Sequence, residues 1–71
     1  MNMKLKALIK EKCKTNREFA KRMNVSESAV TNWLSGKNIP NTRKKSRMAT
    51  VFGVEIMTIV SIFYENINPS E

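Results

Sequence analysis

The sequence predicts an all-α fold of five short helices, and three observations carry that expectation. Apolar residues recur at the i, i+3, i+4 spacing of a helix face in one segment after another. Side chains suited to capping a free helix start stand at Thr15, at Ser26 and at Asn41 or Thr42. Residues that tolerate the left-handed conformation at a helix end follow at Asn24, Gly36 and Gly53. With 71 residues the chain reads as one domain, 1–71, near the size at which the core is modest and oligomerisation helps stability.

The first helix spans about 3–12, with Leu5, Leu8 and Ile9 on one side and Lys and Glu between them. The second spans 16–23. Thr15 and Glu18 fit a capping box, in which the Thr oxygen accepts from a free amide and the Glu carboxylate reaches back to the cap amide. Phe19, Ala20 and Met23 form its apolar face, Asn24 ends it, and Val25 is an apolar anchor in the turn. The third helix, 27–35, starts at the Ser26 cap with Glu27 near the positive end of the dipole. Ala29, Val30, Trp33 and Leu34 lie on one side and Glu27, Ser28, Thr31, Asn32 and Ser35 on the other. Trp33 shares the register of Val30, which makes it a core residue rather than a platform for stacking bases.

After Gly36, Pro40 forbids continued helix and Ile39 is expected to plug into the core. The fourth helix, 43–52, turns Met48, Ala49 and Phe52 inward, while Arg43, Lys44, Lys45 and Arg47 crowd its first turns. Cations there oppose the helix dipole, which leaves either a solvated charge run or contact with an anion. Gly53 ends this helix and Val54 takes the apolar position beyond it. Glu55 can start a fifth, 56–65, with Ile56, Ile59, Val60, Phe63 and Ile67 on one face and Met57, Ile62 and Tyr64 off it; 66–71 reads as a tail.

The whole of 15–36 is two short helices joined by a tight turn, the second held by the first and showing short polar side chains outward. Phe19-Ala20, Val25-Ser26, Val30, Trp33, Gly36 and Pro40 resemble the pattern of the Cro and repressor-type family, which is XRE-like and lambda-repressor-like. The resemblance implies a compact five-helix DNA-binding domain, a helix-turn-helix at helices two and three, and a small regulator of phage or plasmid type. Carried over position by position, it puts Ser26, Glu27, Ser28 and Asn32 at base edges with Thr31 beside them. Asn32 has the donor and acceptor pair for adenine, and Glu27 can accept from cytosine or serve the dipole alone. Asn16, Arg17, Ser35, Lys37, Asn38 and Arg43 become phosphate contacts.

Two departures from that pattern stand out. The family often has Arg at the position of Ile9 paired with Glu at that of Leu34; here an apolar contact is expected instead. The family also favours an apolar residue at the position of Lys14, leaving Cys13 or the stem of Lys14 to cover that spot.

Charge agrees with an anionic partner. The net charge is +7, every Lys and Arg lies between Lys4 and Arg47, and 55–71 holds three acids and no base. Such a distribution supplies the sequence-independent part of polyanion binding and makes it salt-dependent. With one cysteine and no histidine, neither a disulfide framework, a Cys/His zinc site nor a histidine-based catalytic set can form within the chain. No enzyme activity, metal or cofactor is expected, and Cys13 reads as a small apolar residue. No apolar run approaches the ~20 residues of a membrane span and the start lacks a signal segment, so a cytoplasmic protein is expected.

The last helix carries more apolar residues than one small core needs. Met57, Val60, Ile62, Phe63 and Tyr64 are therefore candidates for an interface, which the resemblance makes a homodimer contact. The rival reading is a protein-interaction module, an antirepressor or modulator that binds another regulator through this helix or through the helix-turn-helix surface.

Overall fold

A computed structural model describes residues 1–67, with side chains to 64. It consists of α1 (Met3–Lys12), α2 (Asn16–Met23), α3 (Glu27–Ser35), α4 (Thr42–Phe52) and α5 (Ile56–Ile67). α5 runs past its expected end at 65 to Ile67, so 66–67 are helix rather than tail; the rest of the expected tail, 68–71, and the side chain of Ile67 lie outside what is described. Among the described residues no single helix is long and apolar enough to cross a membrane.

Capping chemistry places the helix starts. Thr15 accepts from the Glu18 amide at 3.1 Å, Ser26 from the Ala29 amide at 3.2 Å and Asn41 from the Lys44 amide at 2.8 Å. Asn41 rather than Thr42 is thus the cap of α4, and Thr42 is its first helical residue. Only half of the expected capping box at α2 forms. The Glu18 carboxylate turns instead to Arg22, whose Nε donates to it at 3.0 Å one helical turn on.

Asn24 (φ 59) and Gly53 (φ 70) end α2 and α4 in the same way. In each case the residue after the left-handed one donates back across the last turn, Val25 to the Ala20 carbonyl and Val54 to that of Ala49, both at 3.0 Å. Lys14 also has positive φ, at 77°. Its side chain is exposed, and Cys13 fills the apolar spot beneath the α1–α2 turn.

The core is built around Phe19. Its ring stacks on Phe52 of α4, with centroids 4.8 Å apart and planes 7° apart. It meets the edge of Trp33 of α3 at 6.3 Å and 68°. Leu5, Ile9, Met23, Val30, Leu34 and Met48 close around this aromatic group, all buried. Ile9 and Leu34 are both buried in that core. α2 packs mainly on α3 and α4, α1 lies across all three, and α5 packs on α4.

Two expectations about the core need correction. Ile39 is 38 % exposed, and Pro40 is the buried residue of the loop. A residue before proline is held extended, where neighbouring side chains point opposite ways, so the ring going in sends Ile39 out. On α5 the buried residues are Ile59, Ile62 and Phe63, while Ile56 is 38 % exposed. Ile62 and Phe63, expected at an interface, are core. The helix is apolar almost all round, so its spacing specifies a period without specifying which side faces in. Asn2 had no role in the sequence reading. It is buried, caps α1 by accepting from the Leu5 amide at 3.1 Å, and its own amide donates to the Leu34 carbonyl at 2.6 Å. Its side-chain nitrogen donates to the Ile62 carbonyl at 3.5 Å.

Cys13 is buried, with Nη1 of Arg22 donating toward its sulfur at 3.8 Å. Burial pushes the Cys13 thiol up, against the pull of the Arg22 charge. The folded chain therefore holds this proton more tightly than the unfolded one. That contribution is full below the ordinary thiol range and is lost as pH rises through the folded value. Urea unfolding midpoints should fall above about pH 8.5, and Cys13→Ala should fall less over the same range. An identical decline in both proteins would assign it to other groups.

Candidate nucleic-acid interface

α3 is held from behind and open in front. Val30, Trp33 and Leu34 are buried against the core, while Ser26, Glu27, Ser28, Thr31 and Ser35 are exposed and Asn32 is half-buried. The reason lies in the period: the polar residues occupy the arc that α1 and α2 leave uncovered. The turn before α3 is equally determined, since Asn24 reverses the chain, Val25 is half-buried and Ser26 caps. The outer face therefore has one orientation relative to α2.

Not every candidate is equally available on that face. The Asn32 side-chain amide makes no hydrogen bond among the described residues, so its donor and acceptor are both unspent. Its backbone carbonyl accepts from the Ser35 hydroxyl at 3.2 Å and from the Asn38 amide at 3.3 Å. Ser35 thus spends its only hydroxyl proton on the end of α3, and its oxygen accepts from the Lys37 amide at 3.4 Å. This makes Ser35 a builder of the loop more than a phosphate donor. Ser26 likewise uses its oxygen as a cap, keeping its proton free.

The flanks are cationic and polar. Lys37 and Asn38 stand exposed in the loop after α3, and Arg43 is exposed in the first turn of α4. Asn16 and Arg17 are exposed at the start of α2, where the first backbone amides have no partner within the helix. Lys44 and Lys45 are half-buried on α4. Arg22 had no role in the sequence reading and Arg47 only a share in the charge run of α4, yet with Arg43 they line one open depression. The signal for part of this was the i, i+4 spacing of Arg43 and Arg47; nothing local pointed to Arg22.

A helix-turn-helix family model matches residues 5–59, from α1 into the first turns of α5. The chain belongs to the Cro/repressor-type, XRE-like helix-turn-helix family. Comparison with curated proteins and with solved structures finds no significant match. The helix-turn-helix domain is the DNA-binding unit of transcription regulators, and α2 and α3 are its two helices here. The helix-turn-helix match ends at residue 59, so 60–64 lie beyond what the family model covers. The exposed apolar side chains of α5 straddle that boundary: Met57, inside the match, is 65 % exposed and Tyr64, beyond it, 60 %, with Val60 half-buried between them in sequence.

Proposed function

We propose that the protein is a Cro-like repressor that binds duplex DNA sequence-specifically, as a dimer, in the cytoplasm. α3 enters the major groove, where Glu27, Ser28, Thr31 and Asn32 meet base edges and Ser26 contributes its proton. Asn16, Arg17, Lys37, Asn38 and Arg43 hold phosphates on either side and set the register. The observation that carries this reading is the exposed polar face of α3 in front of buried Val30 and Trp33. The net charge of +7 supports it independently.

Met57, Val60 and Tyr64 support the dimer, since large apolar groups left open beside a small core favour a protein contact. A two-fold pairing would set two copies of α3 about 34 Å apart, one turn of DNA, on a near-palindromic site. The same face also serves the rival reading, a regulator bound as a heteromer.

The test is duplex affinity by fluorescence anisotropy at two salt concentrations, with specific and scrambled competitors, beside the mass in solution. Lys37→Ala should weaken all duplexes alike and reduce the slope of log affinity against log salt by about 1 per bound copy. Indifference of the wild-type protein to every duplex at low salt would overturn the proposal. DNA binding by a species whose mass is that of one chain would remove the dimer.

A further inference from the structure

We infer that the outer side of α4 is a binding site for a small polyanion bearing linked phosphate groups, such as the di- or triphosphate of a nucleotide. A depression of about 610 Å³ there is lined by Arg22, Arg43, Ser46, Arg47, Thr50 and Val51. Arg43, Ser46, Arg47 and Thr50 follow at i, i+3, i+4 and i+7, the face of α4 opposite the buried Met48, Ala49 and Phe52. Arg22 reaches the same space from α2.

The choice of cation is informative. The chain has more than twice as many lysines as arginines, yet every arginine except Arg17 lines this depression and no lysine does. Charge alone would not sort them. A guanidinium differs from an ammonium in its planar fork, which matches pairs of phosphate or carboxylate oxygens.

Arg22 is also held in place. Glu18 fixes its Nε at 3.0 Å and the Lys12 carbonyl accepts from its Nη1 at 3.2 Å, while Nη2 has no partner among the described residues. Arg43 and Arg47 make no ion pair among the described residues, and no acid lines the depression. Thr50 donates to the Ser46 carbonyl at 3.3 Å, and the Ser46 hydroxyl is left to donate outward.

The forks of Arg43 and Arg47 on α4 and the free Nη2 of Arg22 on α2 need more oxygens, in more directions, than one carboxylate offers. Linked phosphates supply them. The volume falls in the range of small-ligand clefts, about 300–1,000 Å³, and Val51 gives one apolar wall.

Because Arg43 also belongs to the proposed DNA track, a ligand seated here would compete with duplex DNA. That coupling rests on the DNA-binding reading; binding in the cleft does not. The probe is inorganic pyrophosphate, titrated at constant ionic strength without DNA and followed by backbone and arginine Nε resonances in ¹⁵N spectra. Saturable shifts confined to Arg22, Arg43, Ser46, Arg47 and Thr50 are expected. Arg47→Ala and Arg47→Lys should each lose affinity by on the order of tenfold, the second because the charge stays while the fork goes. The control Lys44→Ala/Lys45→Ala, which removes two charges from the same helix outside the cleft, should lose less. Unsaturable shifts spread over the lysines, or losses that follow charge alone, would overturn the inference.

A second arm measures duplex affinity with and without pyrophosphate. Displacement in the wild type beyond the effect of ionic strength, blunted in Arg47→Lys, supports competition at the cleft. Saturable pyrophosphate binding that leaves duplex affinity unchanged keeps the cleft and removes Arg43 from the DNA track. Loss of duplex affinity in Arg47→Lys without saturable pyrophosphate binding assigns the arginines to the DNA backbone and ends the small-ligand proposal. Intact duplex affinity without pyrophosphate binding ends it too, and leaves the DNA-binding reading standing.

Discussion

Phe19→Ala is expected to cost about 3–5 kcal/mol, the usual range for deleting a buried aromatic ring. The ring is fully buried, stacked on Phe52 and edged by Trp33, so its removal opens a cavity where α2, α3 and α4 meet. Collapse of that cavity is hindered because each neighbour is anchored on a different helix. A chain of this size has roughly 4–10 kcal/mol of total stability, so the variant stands near the threshold of unfolding. Circular dichroism during heating should show a midpoint lowered by more than ~12 °C, or no cooperative transition. Phe19→Leu, which keeps most of the volume, should fall between the two. A Phe19→Ala midpoint within a few degrees of the wild type would mean that the aromatic group is not the centre of the core.

Asn32→Ala is expected to leave the fold intact and change what the protein reads. The side chain makes no bond within the protein, while the Asn32 carbonyl that holds Ser35 and Asn38 belongs to the backbone and survives the substitution. Alanine is also the better helix former. Any loss of binding is therefore assignable to the DNA contact. On the preferred site the cost should be about 1–3 kcal/mol, or ~5- to ~150-fold in affinity, confined to one base pair in each half-site. Competition with a set of singly substituted duplexes measures it. Equal loss on all duplexes would make Asn32 a phosphate contact, and no loss would remove it from the interface.

These two residues also show what could be read from the chain without coordinates. Phe19, Val30, Trp33 and the stops at Asn24 and Gly36 were legible because each is dictated locally, by helical spacing or by the backbone conformation a turn requires. The outward direction of Asn32 follows from the same spacing. Ile62 and Phe63 were misplaced because α5 is apolar around most of its circumference, and only packing on α4 selects its buried side. Glu18 had two partners within reach, the cap amide and Arg22, and the long guanidinium won. The convergence of Arg22 with Arg43 and Arg47 joins residues far apart in sequence, which no local pattern encodes.

Asn2 joins segments still farther apart, reaching Leu34 and Ile62 from the start of the chain. Such closure is entropically unfavourable until the intervening chain is ordered, whereas the α2–α3 turn and the α4–α5 turn involve near neighbours. The Asn2 bonds accordingly belong late in folding, after the aromatic nucleus of α2, α3 and α4 has formed. They act as a latch on a structure already assembled, one that slows its opening rather than hastening its formation.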